Sequence, residues 1–64
     1  MKLDEIKFAV AMVKKGYNTV SLAQACGVSR GTLSAAKAGK RIKADTVLKI
    51  AKVLEVEMED LLED

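Results

Sequence analysis

The chain has 64 residues, half of them apolar and 31% charged, which suits one small folded domain and is too hydrophobic for a disordered segment. One cysteine and no histidine exclude a disulfide framework and a cysteine-cluster zinc site and remove the usual general base, so we expect no cofactor, no metal and no catalytic activity. The net charge of +2 is unevenly divided: all eleven Lys and Arg lie in residues 1–54, and six of the nine acids lie in the last ten residues.

No signal-peptide pattern opens the chain, and its longest apolar run, Phe8 to Val13, is too short to cross a bilayer. We therefore expect a soluble cytoplasmic protein without a membrane partner. No feature of the sequence indicates a small-molecule ligand.

The first predicted helix runs from Leu3 to Lys15. Apolar residues recur at positions 3, 6, 9/10 and 13, which is helical spacing, and Phe8 and Met12 lie beside this stripe as expected core residues. Acids near the start and lysines near the end match the helix dipole, and Gly16 ends the helix.

Two short helices follow, over residues 20–26 and from Arg30 to about Ala38, each with a polar cap before it and a glycine after it. These bounding residues are Asn18, Thr19 and Gly27 for the second helix, and Ser29 and Gly39 for the third. A fourth helix is predicted from about Asp45 to Leu54 and a fifth from about Glu57 to Glu63. The prediction is an all-α, compact five-helix bundle forming one domain over residues 1–64.

The second and third helices have the spacing of a helix-turn-helix from about Thr19 to Ala38. Ala23 is small where two crossing helices touch, and Gly27 stands in the turn, where a positive φ is easiest for glycine. The apolar residues expected to hold the two helices together are Leu22, Cys26, Val28, Leu33 and Ala36.

Five basic residues fall within fourteen positions that contain no acid: Arg30, Lys37, Lys40, Arg41 and Lys43. A block of this kind is typical of a phosphate-binding surface. The alternative is a charged face that only contacts water.

The run from Leu22 to Ser34, with Gly39, Lys40 and Arg41 after it, resembles the Cro/C1-type (XRE-like) family of phage repressors and bacterial transcriptional regulators. The stretches 46–54 and 55–62 resemble that family's fourth and closing helices. The resemblance implies a λ-repressor-like fold, a repressor that binds double-stranded DNA as a homodimer on a two-fold site, and a bacterial or phage origin. The expected dimer surfaces are residues 54–62 and the loop before the fourth helix.

The resemblance also places the third helix in the major groove. At 100° per residue, Leu33 and Ala36 face the core, and the opposite side carries the expected base contacts, which are Arg30, Gly31, Ser34 and Ala35. The expected contacts to the DNA backbone are Thr19, Ser29, Thr32, Lys37, Lys40, Arg41 and Lys43. Met12 and Lys37 replace a salt-bridged pair common in the family, which frees Lys37 to face DNA.

Three rival interpretations remain at this stage. The chain could be a protein-interaction module, antitoxin-like or scaffolding, that keeps the fold without the DNA contacts. It could be a LacI-type headpiece cut from a larger regulator, although the closing helix and the absent hinge disfavour this. An enzyme is disfavoured because the sequence has no histidine, nucleophile motif or phosphate-binding loop.

Overall fold

The computed structural model describes residues 1–63 and contains four α-helices followed by one turn of 3₁₀-helix. The helices are α1 (Glu5–Lys14), α2 (Thr19–Cys26), α3 (Arg30–Lys37) and α4 (Ala44–Leu54), and the 3₁₀ turn spans Met58–Asp60. Helix α2 packs against both α3 and α4, and α1 packs against α3. None of the helices in residues 1–63 has the length and apolar content that a membrane span requires.

Polar side chains start the first three helices. Asp4 accepts a hydrogen bond from the amide of Lys7 (2.9 Å), and Asn18 accepts one from the amide of Ser21 (2.8 Å). Ser29 does the same for α3, so Asn18 and Ser29 are confirmed as the predicted caps. These bonds satisfy amide groups that have no partner inside the helix.

All four α-helices of residues 1–63 end in the same backbone geometry, with a left-handed residue beside the last turn. These residues are Gly16 (φ 73°), Gly27 (φ 72°), Gly39 (φ 78°) and Glu55 (φ 58°). The next residue donates its amide to a carbonyl five positions earlier, as Val28 does to Ala23 at 3.1 Å. This bond satisfies an otherwise unpaired carbonyl and turns the chain sharply. The three predicted glycine stops are confirmed, whereas Glu55 takes the same conformation without being a glycine.

The core is formed by one face of each α-helix together with single residues from the segments before, between and after these helices. Its fully or almost fully buried members are Leu3, Phe8, Met12, Leu22, Ala23, Cys26, Leu33, Ala36, Ile42, Val47, Ile50, Ala51, Leu54 and Leu61. The core positions predicted for Phe8, Met12, Cys26 and Ile50 are therefore confirmed. Burial raises the pKa of the Cys26 thiol.

The predicted fifth helix is wrong, because only the 3₁₀ turn forms in the closing segment. Leu61 follows the turn and accepts a 2.8 Å hydrogen bond from the amide of Asp4, and Leu62 forms an isolated antiparallel bridge with Leu3. These long-range partners take backbone groups that an α-helix would have used locally. Asp64, the last acid of the chain, lies outside the described residues.

The N-terminal residues bind two distant segments together. Met1 and Ile42 exchange two hydrogen bonds, each 2.7 Å, between their backbone groups. The carbonyl of Lys2 accepts a bond from the amide of Glu63 at 3.1 Å. The first residues are therefore fixed against both the α3–α4 loop and the closing segment, which explains why α1 begins at Glu5 and not at Leu3.

The apolar stripe that predicted α1 does not point into the core. Phe8 and Met12 are buried, but Ile6, Val10 and Val13 are exposed by 76%, 47% and 77%. The spacing therefore indicated a helix correctly, while its outer face carries the apolar side chains.

Replacing Gly27 tests the left-handed helix end in the turn. A Cβ at this position meets no atom within 4 Å, so the cost of a side chain is conformational and not steric. We expect Gly27→Ala to lower the free energy of unfolding by about 1 kcal/mol, and Gly27→Asn to lower it less, since asparagine tolerates the left-handed region better. Urea denaturation measures both. A larger loss for asparagine than for alanine would contradict the explanation.

The Lys15–Glu55 ion pair gives a pH test at the end of α4. A hydrogen bond from Lys15, and then its charge, hold the pKa of the Glu55 carboxyl below its ordinary value of 4.5. A lowered folded-state pKa means that this contribution to stability is present above pH 4.5 and is lost as the pH falls through the folded-state pKa. The urea midpoints of the parent and Glu55→Gln should therefore converge on acidification. In a Lys15→Gln background, the same comparison should show no such convergence.

Candidate nucleic-acid interface

The helix-turn-helix forms where the sequence predicted it. Helices α2 and α3 are joined by residues 27–29, and Ala23 is buried at their contact with only 2% of its surface exposed. Leu22 and Leu33 are fully buried. A larger side chain at position 23 would displace one helix from the other, because tightly packed interiors do not absorb added volume.

Helix α3 has one buried face and one exposed face. Leu33 and Ala36 are fully buried, which confirms the predicted core side. On the opposite side Arg30, Gly31 and Ser34 are exposed, and Ala35 is half-buried. The four residues predicted to contact bases therefore lie on the accessible surface of one helix, two turns long, whose packing fixes its direction.

Gly31 is not required by the fold. Its φ is not positive, and the nearest atom that a Cβ would meet is Ser29 Oγ at 3.9 Å. Gly31 is the second residue of α3, and in the first turn of a helix glycine costs less relative to alanine than it does in the interior. The free protein therefore has space for a side chain at position 31.

Ser29 and Thr32 act as a linked pair at the start of α3. Ser29 Oγ accepts a 3.1 Å hydrogen bond from the Thr32 amide and donates its hydroxyl to Thr32 Oγ1 at 2.8 Å. The serine oxygen is thus engaged in capping, and the hydroxyl hydrogen of Thr32 remains available as an outward donor. Of these two predicted backbone contacts, Thr32 is the one with a donor to offer.

The loop from α3 to α4 presents three basic side chains to solvent. Ile42 is buried among the core residues, and the side chains around it, Lys40, Arg41 and Lys43, are exposed. Among residues 1–63 the ion pairs join Lys15 to Glu55 and Asp45 to Lys49, so the basic loop takes part in neither. Its charges are therefore not neutralised within the described chain.

Two open grooves border α3. Thr32 and Ala35 line one of them with Arg41 and Lys43, and Lys37 and Thr19 line the other beside Met12 and Val13. Met12 is buried and Lys37 is exposed. The structure thus places five of the predicted backbone-contact residues in two separate grooves, whereas Ser29 and Lys40 line neither of them.

Thr46 was missed by the sequence reasoning. It lies in the first turn of α4 and lines the groove with Arg41 and Lys43. Lys43 occupies the N-cap position of α4 without a side-chain hydrogen bond, because an ammonium group cannot accept one. The amides of this turn therefore need an external acceptor such as water or an anion. The missing polar cap before Ala44 was the signal available in the sequence.

Acidic side chains collect at the opposite end of α3. Asp4, Glu5 and Glu63 line a groove together with Ala38 and Gly39, just beyond the last turn of that helix. Lys37 and Lys40 are also exposed on either side of Ala38 and Gly39, so the surface at the end of α3 carries charges of both signs. In residues 1–63 no group of three His, Cys, Asp or Glu side chains is placed to hold a metal ion.

Comparison with known proteins gives one finding. A family model described as a Cro/C1-type HTH DNA-binding domain matches residues 7–64, which is most of the chain. No curated protein and no solved structure matches the chain significantly. The family match runs from within α1 into the closing segment and includes every predicted contact residue. The chain belongs to the Cro/C1-type helix-turn-helix family of DNA-binding domains.

Proposed function

We propose that the chain is a sequence-specific transcriptional regulator, acting as a repressor, which inserts α3 into the major groove of double-stranded DNA. The observation that carries the proposal is the exposed face of α3 beside a basic loop with no ion-pair partner in residues 1–63. Such a combination offers base-reading groups and phosphate-neutralising groups on one side of the molecule.

Arg30 is the principal base reader in this proposal. It is exposed at the first position of α3, and its planar guanidinium can bond O6 and N7 of a guanine together. Ser34 is one turn further along and can donate to or accept from several base edges. Ala35 offers a methyl contact to thymine, and Gly31 allows the helix backbone to approach the bases closely.

Phosphate contacts lie on both sides of α3. The groove with Arg41 and Lys43 takes one strand, with Lys40 beside it and the Thr32 hydroxyl as a further donor. Thr19 and Lys37 serve the other strand from the second groove. Ser29 contributes chiefly by orienting Thr32.

Regulators that dock a helix in this way commonly bind two half-sites about one helical turn apart as dimers. We propose the same arrangement here, a homodimer on a two-fold site, with residues 1–64 as the DNA-binding domain of each copy. A protein-interaction module of the same fold is the rival, and salt dependence separates the two. Only phosphate neutralisation makes affinity for a duplex fall steeply as salt rises.

Two substitutions should separate the recognition of bases from the neutralisation of phosphates. Arg30→Ala should cost about 1–3 kcal/mol of binding free energy and relax the preference at one base position. Lys40→Ala should weaken binding to all sequences and lower the slope of log affinity against log salt by about one. Lys52→Ala, an equal charge change near the far end of α4, is the control and should leave the slope unchanged. Fluorescence anisotropy with sites selected from a random duplex pool measures all three.

An unchanged sequence preference in Arg30→Ala would refute its role as a base reader. A duplex affinity insensitive to salt in the parent protein would refute the proposed function as a whole and favour the interaction module.

Gly31→Ala tests how closely α3 approaches the bases. The free protein has room for the methyl group, so its free energy of unfolding should rise by up to about 1 kcal/mol. Affinity for the selected duplex should nevertheless fall, because the methyl group would meet the groove. Urea denaturation and anisotropy give the two values on one sample. Higher stability with undiminished affinity would show that position 31 does not face the DNA closely.

A further inference from the structure

Tyr17, in the link between α1 and α2, combines an apolar anchor with a polar group at the surface. The residue is half-buried and packs against the core, and its amide donates a 3.0 Å hydrogen bond to the carbonyl of Met12. Its side chain lines the same groove as Thr19 and Lys37, the second of the two grooves beside α3. A half-buried tyrosine keeps its apolar ring against the protein and its hydroxyl toward water.

The phenolic hydroxyl of Tyr17 has no hydrogen-bond partner within residues 1–63. The side-chain hydrogen bonds of the neighbouring segment join Asn18 to Ser21, and the tyrosine takes part in none of them. A phenolic group can both donate and accept a hydrogen bond. Its hydroxyl hydrogen is therefore available to an acceptor from outside the chain.

Asn18 adds a second neutral donor group next to Tyr17. Its side-chain oxygen caps α2 by accepting a 2.8 Å hydrogen bond from the amide of Ser21, which fixes the orientation of the side chain. The nitrogen of the same side-chain amide carries two N–H donors, which no group in the described part of the chain accepts. Asn18 is exposed and lines the second groove, so the cap holds these donors at its surface.

The second groove offers donors and no negative charge. Lys37 is exposed and takes part in neither of the ion pairs found among residues 1–63. The residues that line the groove are Ala9, Met12, Val13, Tyr17, Asn18, Thr19 and Lys37. One ammonium group beside hydroxyl and amide donors suits the oxygens of a phosphate, to which lysine, tyrosine, threonine and asparagine all donate in protein–DNA interfaces.

We propose that Tyr17 and Asn18 are two further contacts to the DNA backbone, which donate hydrogen bonds to the same phosphate group as Lys37. The inference rests on the proposed function, because the second groove meets a DNA strand only when α3 lies in the major groove. Each residue serves the fold with one part of its side chain and leaves another part free. The ring of Tyr17 packs on the core, and the oxygen of Asn18 caps α2.

Tyr17→Phe removes the hydroxyl and keeps the ring. The urea midpoint should be unchanged, because the hydroxyl has no partner in residues 1–63. Affinity for the selected duplex should fall about three- to tenfold, as expected for one hydrogen bond to a charged acceptor. The slope of log affinity against log salt should stay at the parent value, since a neutral donor releases no counterion, whereas Lys37→Ala should lower it. Undiminished affinity in Tyr17→Phe would refute the contact.

Asn18→Asp tests the second donor group. Aspartate caps a helix as well as asparagine, so the urea midpoint should not fall, but the two donors are replaced by a negative charge. Affinity for the duplex should fall further than in Tyr17→Phe, and the salt slope should decrease. The control is Gln24→Glu, an equal charge change at an exposed residue of α2 that lines neither groove beside α3. Equal losses in the two variants would show a general charge effect and refute the contact by Asn18.

A double-mutant cycle tests whether Tyr17 and Lys37 share one phosphate. Groups that bind one acceptor are energetically coupled, so Tyr17→Phe should cost less in a Lys37→Ala background than in the parent. In a Lys43→Ala background it should keep its full cost, because Lys43 lines the other groove. Independent losses in both backgrounds would contradict the shared phosphate.

A spectroscopic measurement observes the same contact directly. Tyr17 is the only tyrosine of the chain, so isotope-labelled tyrosine marks a single site for NMR. Its ring resonances should shift when the selected duplex saturates the protein, and unchanged resonances would overturn the inference. A parent that binds with steep salt dependence while Tyr17→Phe is unimpaired refutes this inference alone. A parent whose duplex affinity is insensitive to salt refutes the proposed function and this inference with it.

Discussion

The left-handed residue beside the last turn of each α-helix is the constraint on which the rest of this small fold depends. A chain of this length can bury a continuous core only if each helix stops abruptly and the next one returns at a steep angle. Gly27 does this between α2 and α3, where its φ of 72° and the bond from Val28 to Ala23 set the turn. That turn determines which side of α3 faces the core and therefore which side remains available for a ligand.

The same short segments contain buried residues that anchor them to the core and exposed residues that are available to a ligand. On α3, Leu33 and Ala36 fix the helix to the core, and the exposed Arg30 and Ser34 gain a fixed direction from that anchoring. The loop after α3 is anchored in the same way. Ile42 is buried, and its backbone is hydrogen-bonded to Met1, so the basic side chains on either side of it are held toward solvent. Rigid presentation reduces the entropy lost when such side chains bind.

The sequence has most of its acids near the C-terminus, and only folding brings acids from both ends of the chain to one place on the surface. Acids from both ends of the chain, among them Asp4 and Glu63, meet beside Gly39, although nearly sixty residues separate them in the sequence. The basic loop lies at a different groove, beside Thr32. Helix α1 has one face in the core, and its outer face is apolar and not covered by the described chain. The fold therefore presents three chemically distinct surfaces around one small core.

The sequence by itself determined most of the helix caps and helix ends, which depend on neighbours in the chain. Asn18 and Ser29 cap helices through bonds to residues three positions away, and Gly27 ends α2 through its own φ, so residue type and spacing were sufficient. Only the tertiary structure decided features with distant partners. The closing segment gives up helical bonds because Leu61 pairs with Asp4, and the stripe of α1 stays outside because Phe8 and Met12 occupy the core. Periodicity identifies a helical face, but what covers that face depends on the rest of the fold.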